Sequence, residues 1–370
     1  MVCFSSTSVL IKFNQGPPND KTITGAGTRR LSSNDDESAG TINTRGKSSR
    51  DNPLPGSKNT NYRYGSKKIT MNNPIQQGKK DKLKIWLFYL LPHHFVSRLV
   101  FFVTRRQGPV AQPLIKWFIR KFDVDMSDSD CPDPEGFKTF NEFFTRSLKQ
   151  DARPVVPGEN TIACPVDGTV SAAGNIEEQS IFQAKGHQYT VRELLGGDAS
   201  LSALFNNGRF ATVYLAPYNY HRIHMPVSGV LKKMIHVPGR LFSVAPWTVS
   251  TIPRLFARNE RVVCLFSTPA GPIAMVLVGA INVAAIETVW AGLITPPKGK
   301  RISQFDYSHT RRQYLKGTEM GRFNMGSTVI LLTAGNVEWL QKFRAGQVMK
   351  MGEMIGHFPS PPVSRKVPPT

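Results

Sequence analysis

The sequence predicts an α+β protein, in which amphipathic helices precede a core of mainly antiparallel β-sheet. Short runs of β-branched and aliphatic residues, bounded by glycine or proline, recur after Arg153 and predict the strands. These runs do not alternate with long helical patterns, so parallel βαβ units are not indicated. Aromatic and cationic residues at helical spacing in residues 83–122 predict the helices.

The predicted core occupies residues 123–357. Its clearest strand candidates are Thr169–Ala172, Ala211–Leu215, Val262–Phe266, Ile273–Val278 and Thr328–Leu332. Before them, Phe137–Phe144 places aromatic residues on one helical face and predicts a short helix. We therefore expect one domain over residues 123–357, followed by a loose Pro/Ser-rich tail over residues 358–370.

Residues 1–82 have a different composition from the rest of the chain. They are rich in Ser, Thr, Asn, Gly and Lys and show little hydrophobic periodicity. Chains that cannot bury enough apolar surface to offset their conformational entropy stay unfolded. We predict a disordered, basic N-terminal extension.

Residues 83–122 contain three interrupted apolar runs. They are Ile85–Leu91, Leu99–Val103 and Leu114–Phe122. None reaches the ~20 apolar residues that a membrane-spanning helix requires. Trp, Phe and Leu beside Lys and Arg are typical of helices that lie in a membrane interface, so we predict membrane-interfacial helices here. The alternative is a pair of amphipathic helices packed on the protein's own core.

The charge of the chain favours anionic partners. Its formal net charge is +21 at pH 7, which suits acidic lipid, nucleic acid or acidic protein. No RRM-type signature is visible, and we predict no nucleic-acid partner. The four cysteines include no CxxC pair, and no matching cluster of ligands is evident, so we predict no metal site.

Two polar motifs contain candidate catalytic residues. The segment 164–168 ends in Asp167 and a glycine, which is also an ordinary turn signal. The segment 218–226 contains His221 and His224, which are either general acid–base groups, a metal pair or ordinary surface imidazoles. A histidine titrates near neutral pH and can move a proton there.

A third motif is Gly326-Ser327 at the entry to an apolar strand. It lacks the GxSxG pattern of a hydrolase nucleophile, and a simple bend would account for it. An autocatalytic backbone cleavage also requires this pair. The glycine leaves its carbonyl unhindered and the serine supplies a nearby hydroxyl.

Taken together, the order and spacing of these motifs over residues 83–357 resemble the bacterial type of the phosphatidylserine decarboxylase family. The matching segments are Phe140–Phe144, Pro165–Gly168, Ala184–Gly186, Tyr220–Pro226, Phe256–Arg261, Glu287–Gly292 and Lys316–Thr328. Met325 stands where the family often has Leu, a swap that conserves volume. Residues 1–82 have no counterpart in the resemblance.

The resemblance implies a proenzyme that cuts itself between Gly326 and Ser327. Asp167, His224 and Ser327 would form the self-cleavage triad, and Ser327 would become a covalent pyruvoyl group. That group would form a Schiff base with phosphatidylserine, which loses CO2 and yields phosphatidylethanolamine, while His221 handles the substrate proton. Residues 123–357 would then be the catalytic domain of a carboxy-lyase of phospholipid biosynthesis.

Further expectations follow from the same resemblance. The products would be a β chain of residues 1–326 and an α chain of residues 327–370, held together without a covalent bond, and a dimer of this heterodimer is left open. The enzyme would bind phosphatidylserine at the periphery of a membrane, either the cytoplasmic face of a bacterial cell membrane or the mitochondrial inner membrane.

Two other functions are consistent with parts of the sequence. One is a pyruvoyl decarboxylase that acts on a soluble amino acid, against which the aromatic and basic segment 83–122 argues. The other is a basic membrane-binding or nucleic-acid-binding protein without catalysis. A gel separates the two classes of function, because an enzyme of this type runs as two pieces and a binding module as one.

Overall fold

The computed structural model describes residues 61–64, 67–70, 93–281, 285–295, 301–324 and 327–359. In the N-terminal extension, Asn61–Tyr64 and Lys67–Thr70 pair as antiparallel strands. The remainder of residues 1–82, the apolar run at 85–91, and Met325 and Gly326 lie outside the described residues.

The helices of the described chain are short. In chain order they are α1 (His93–Thr104), α2 (Ala111–Phe122), α3 (Phe140–Phe144), α4 (Val191–Leu194), α5 (Ala199–Ala203), α6 (Pro246–Val249) and α7 (Leu255–Arg258). Single 3-10 turns occur at Pro134–Gly136 and Ser308–Thr310. No helix among these residues has both the length and the apolar character needed to cross a bilayer.

The strands carry most of the regular structure. In chain order they are β1 (Asn61–Tyr64), β2 (Lys67–Thr70), β3 (Thr161–Ala163), β4 (Gly168–Asn175), β5 (Ser180–Ala184), β6 (His187–Thr190), β7 (Arg209–Leu215), β8 (Arg222–His224), β9 (Gly229–Val237), β10 (Arg261–Thr268), β11 (Gly271–Val278), β12 (Ile286–Thr288), β13 (Gly292–Leu293), β14 (Ser303–Asp306), β15 (Gln313–Tyr314), β16 (Glu319–Phe323), β17 (Ser327–Thr333), β18 (Glu338–Trp339), β19 (Val348–Met349) and β20 (Met354–His357).

One large antiparallel sheet organises the domain. Its strand order is β14-β9-β10-β11-β17-β7-β4-β19, with β15 also paired to β9. A second sheet has the order β13-β12-β16-β8, and a third the order β18-β20-β3. The predicted α+β fold with a mainly antiparallel sheet is confirmed.

Two hydrophobic clusters hold these elements. The larger one lies along the main sheet, where every residue of β17 is buried. The smaller one joins α2 to α3 through Ile115, Phe118, Phe140 and Phe144. The helix α3 forms within the aromatic segment in which a short helix was predicted. The Thr139 hydroxyl caps its N-terminus by accepting the Glu142 amide N–H.

Candidate active site

Three neighbouring strands of the main sheet, β4, β7 and β17, have chain ends that lie close together. β4 and β17 both run antiparallel to β7 and flank it, so their first residues lie beside its last one. Asp167 immediately precedes β4, Ser327 opens β17 opposite Leu215, and the histidine motif follows β7 in the chain. The site residues predicted from the sequence therefore lie at or beside the same end of these adjacent strands.

Asp167 is buried in an ion pair with Arg153. The Arg153 Nε donates to Oδ1 at 2.9 Å and its Nη2 to Oδ2 at 2.6 Å, while the Met351 amide donates to Oδ1 at 2.7 Å. The turn requires glycine at position 168, because a Cβ there would collide with the Tyr214 carbonyl oxygen. Asp167 is thus held as a fixed negative charge at the start of β4.

His224 is fixed on both ring nitrogens. Its Nδ1 lies 2.8 Å from the Gly317 carbonyl oxygen, and its Nε2 lies 2.9 Å from the Tyr220 hydroxyl. A carbonyl can only accept, so Nδ1 carries the proton and Nε2 accepts from Tyr220. Burial lowers the pKa of His224, which favours the neutral ring, and this tautomer presents a basic Nε2.

The backbone of His224 lies beside the turn that holds Asp167. Its amide donates to the Pro165 carbonyl at 2.9 Å. The Gly317 carbonyl that receives Nδ1–H comes from a residue with φ of 81°, a conformation that favours glycine. Lys316-Gly317, which the sequence comparison singled out only as a matching segment, therefore orients the imidazole.

Ser327 is fully buried, and its hydroxyl has no hydrogen-bond partner among the described residues. Buried hydroxyls are nearly always hydrogen-bonded, so an orphan of this kind calls for an explanation. The side chain stands at the first position of a central strand whose neighbours on both sides are fully formed. Its backbone pairs with Leu215 of β7, and pairing with β11 begins one residue later, at Thr328.

His221 is more deeply buried than His224. It is fully buried and stacks on Phe144, with ring centroids 4.1 Å apart. Neither ring nitrogen forms a well-directed hydrogen bond within the described part of the chain. Burial, reinforced by the positive charge of Arg146, lowers the pKa of His221 to about 3, so the ring is neutral at physiological pH.

The three predicted triad residues are not hydrogen-bonded to one another. Asp167 binds Arg153, His224 binds Tyr220 and Gly317, and the Ser327 hydroxyl has no partner in the described part of the chain. Sequence reasoning missed Arg153, which it used only as the start of the strand region, and Arg146. Neither arginine belongs to a local motif, so no signal in the sequence pattern marks them.

No group of three or more His, Cys, Asp or Glu residues able to hold a metal ion occurs in the described ranges. The groups that could take part in a reaction at these strand ends are a buried hydroxyl, two neutral imidazoles and a carboxylate held by an ion pair.

Comparison with known proteins agrees with the order of these motifs. The family model described as phosphatidylserine decarboxylase matches residues 140–357, more than half of the chain. The chain belongs to the phosphatidylserine decarboxylase family. A second family model, described as PSD, matches residues 83–123, which include α1 and α2.

Bacterial members of the phosphatidylserine decarboxylase family align over most of their length. The proteins of Shewanella frigidimarina and Psychromonas ingrahamii, both called phosphatidylserine decarboxylase proenzyme, are 51% and 52% identical, over 74% of this chain and 97% of each relative. The protein of the same name from Alkalilimnicola ehrlichii is 57% identical, over 68% of this chain and 88% of the relative.

Proposed function

We propose that the chain is a phosphatidylserine decarboxylase proenzyme that cleaves itself between Gly326 and Ser327. The observation that carries the proposal is the orphaned, fully buried Ser327 hydroxyl at the start of β17, in a chain of this family. The family relation supports the reaction, in which phosphatidylserine becomes phosphatidylethanolamine and CO2. The cleavage point and the roles of the triad residues follow from the resemblance to the family, and the chemistry of the site supports them.

In the cleavage step, Ser327 Oγ attacks the Gly326 carbonyl carbon and the peptide becomes an ester. The proton of the hydroxyl needs a base, and Nε2 of His224 is the basic nitrogen of the fixed tautomer. The Tyr220 hydroxyl occupies that nitrogen, so it must turn away before the proton is transferred. The carboxylate of Asp167 then stabilises the imidazolium by its charge.

Elimination across the Cα–Cβ bond of residue 327 breaks the ester. It releases residues 1–326 with a free carboxyl group and leaves dehydroalanine at the head of residues 327–370. Hydrolysis of this group releases ammonia and leaves a ketone. The pyruvoyl group so formed would occupy the buried position of the Ser327 side chain. Its ketone oxygen would come from water, because Oγ leaves with the carboxyl group of residue 326.

A pyruvoyl group supplies an electrophilic carbonyl that withdraws electrons from a bound amine's α carbon. The chain's own residues would hold the headgroup and control protons around it. His221 is the proposed proton-handling residue. It is neutral in the uncleaved chain, and we propose that the negative charge of the incoming headgroup raises its pKa so that it can take up and return a proton.

The two products of cleavage would stay associated without a covalent bond. β17 would open the α chain, yet it lies between β11 and β7 and pairs with both along its length. Two further strands of the α chain pair with the β chain, β19 with β4 and β20 with β3. The proposed β/α heterodimer is therefore one continuous fold.

Asp167→Asn is expected to slow self-cleavage by about 100-fold or more, because the imidazolium loses its neighbouring negative charge. His224→Ala should block or greatly slow cleavage, because it removes the base that takes the proton from Ser327. A gel time course that follows the 370-residue chain measures both.

The matched control for Asp167 is Asp128→Asn. Asp128 is the other carboxylate on Arg153, at 2.7 Å, but its side chain is 35% exposed. Asp128→Asn should cleave at nearly the normal rate. Equal slowing by both substitutions would mean that only the position of Arg153 matters, and normal cleavage of Asp167→Asn would remove Asp167 from the mechanism.

We also propose that α1 docks on the membrane surface. Four of its apolar side chains are exposed and follow helical spacing along one face: Phe95, Leu99, Phe102 and Val103. Trp117 of α2 is 54% exposed, and Arg98 and Arg106 lie in or beside α1 on the surface. A lipid substrate leaves the bilayer at a cost of ~0.8 kcal/mol per CH2, so the enzyme has to come to the lipid.

Changing Phe95, Leu99, Phe102 and Trp117 to Ser should weaken liposome binding markedly, because the apolar contact is lost. High salt should weaken binding of the parent only in part, since salt screens the cations and leaves the apolar contact. Co-sedimentation of the inactive Ser327→Ala chain with liposomes containing phosphatidylserine measures this. Trp86, Phe88 and Phe101 belong to the same sequence-predicted surface. Of these, Phe101 is half-buried, and the other two lie outside the described residues.

The control changes four exposed apolar residues elsewhere in the chain to Ser: Phe182, Leu204, Trp247 and Val348. Binding by this control should match the parent. If the α1 variant binds liposomes as the parent does, α1 is not the docking surface.

A further inference from the structure

Arg146 is a buried cation that forms no ion pair with any residue that the structure describes. Its side chain is 5% exposed, and its Nε has no hydrogen-bond partner among the described residues. The guanidinium donates from Nη2 to the Tyr218 carbonyl, and this hydrogen bond is long at 3.4 Å. Burial lowers the pKa of Arg146 to about 10, so it remains charged at neutral pH.

A second buried arginine shows what a satisfied guanidinium looks like in this fold. Arg261 is 3% exposed and donates from Nε, Nη1 and Nη2 to the carbonyls of Leu194, Asn259 and Glu193, at 2.6, 2.7 and 2.6 Å. Arg153 is likewise paired with two carboxylates. Arg146 has neither arrangement among the described residues, although a buried charge left unpaired is strongly destabilising.

Arg146 belongs to the candidate active site by position. It follows α3, whose Phe144 stacks on His221, and its guanidinium carbon lies 5.6 Å from the Phe143 ring centroid. The positive charge of Arg146 helps to lower the pKa of His221, and the negative charge of Asp167 partly raises the pKa of Arg146. An unpaired cation that interacts with two site residues is suited to receive an anionic group of the substrate.

We propose, on the basis of the proposed function, that Arg146 binds the phosphodiester of the phosphatidylserine headgroup. The guanidinium fork matches two phosphate oxygens. The headgroup carboxylate is the other anion, but it loses its negative charge when it becomes CO2. A cation bound there would stabilise the ground state more than the transition state. The phosphodiester keeps its charge throughout, so binding it does not oppose the reaction.

Arg146 and Ser327 are both covered in the uncleaved chain. The headgroup has to reach position 327 for any reaction, so the opening that admits it would also have to expose Arg146, whose charge acts on His221 of the same site.

The test uses cleaved wild-type enzyme, Arg146→Gln and Arg146→Lys, each normalised to its cleaved fraction. Arg344→Gln, an exposed arginine of the same domain, is the charge control. Two competitive inhibitors are titrated against phosphatidylserine in mixed micelles. Phosphatidylethanolamine has the phosphodiester without the carboxylate, and O-hexadecyl-L-serine has the carboxylate without the phosphodiester.

Arg146→Gln should raise the inhibition constant of phosphatidylethanolamine by about 10–100-fold, the range of a charge-assisted hydrogen bond. The constant for O-hexadecyl-L-serine should change little, and Arg146→Lys should give an intermediate effect. Arg344→Gln should match wild type.

Three results would overturn the proposal: unchanged constants for both inhibitors, a rise for O-hexadecyl-L-serine alone, or failure of both Arg146 variants to cleave, which would assign Arg146 to processing. Failure of the proposed function is distinguishable, because wild type itself would then not decarboxylate phosphatidylserine.

Discussion

Ser327→Ala is expected to remain a single uncleaved chain with no detectable decarboxylase activity. The substitution removes only the hydroxyl oxygen that attacks the Gly326 carbonyl, and among the described residues that oxygen has no hydrogen bond whose loss would disturb the fold. The variant should therefore melt close to the uncleaved parent. A denaturing gel and an assay of CO2 release from phosphatidylserine measure the two effects.

Thr328→Val is the matched control for this substitution. Thr328 is the next residue of β17, is fully buried, and also has a hydroxyl without a partner among the described residues. Successive strand residues point to opposite faces of the sheet, so its hydroxyl lies on the other face from Ser327. Thr328→Val should cleave normally. Cleavage of Ser327→Ala at the wild-type rate would contradict the proposed nucleophile.

His221→Ala is expected to separate the two stages of the reaction. His224 is the proposed base for Ser327, so the His221 variant should still cleave wholly or largely. Turnover on phosphatidylserine should then fall by about 100–10,000-fold, the contribution of a positioned acid–base group. The cleaved fraction and CO2 release, measured on one preparation, give both quantities.

The stacking contact between His221 and Phe144 requires a second variant, because alanine also leaves a cavity. His221→Asn retains much of the volume and should lose turnover to a similar extent. His309→Ala, at an exposed histidine, should have no effect. Either an uncleaved His221→Ala chain or a cleaved one with normal turnover would show that the role of His221 is assigned wrongly.

The strands of the core were predictable from local pattern. All five predicted runs lie within observed strands, for example Ala211–Leu215 within β7 and Ile273–Val278 within β11. Their β-branched residues are buried between sheet faces, and glycine or proline marks many of their ends. The pairing of the strands was harder to predict from the sequence. For example, β17 lies between β11 and β7, and both of these strands are distant from it in the chain.

The helical boundaries shifted for a local reason. The predicted helix over Phe137–Phe144 begins only at Phe140, since Thr139 caps it and Pro134–Gly136 forms a separate turn. In the N-terminal helices, α1 and α2 contain the predicted runs Leu99–Val103 and Leu114–Phe122.

The site was only partly predictable. Sequence motifs contain Asp167, His221, His224 and Ser327, but they say nothing of the side chains that bind them. Asp167 takes its main partner, Arg153, from another loop, and His224 takes the Gly317 carbonyl from nearly a hundred residues away in the chain. Such contacts depend on tertiary packing, which no local periodicity encodes.

The intact mass of the purified protein shows whether the chain cleaves itself and forms a pyruvoyl group. We expect the denatured protein to separate into two polypeptides, one of them residues 327–370 with a mass lower by one ammonia than that of the serine-initiated peptide. That difference reports the cleavage point and the pyruvoyl group together. A single mass that still contains residues 326 and 327 in one chain would rule out self-cleavage, and a fragment that begins with an unmodified serine would rule out the pyruvoyl group.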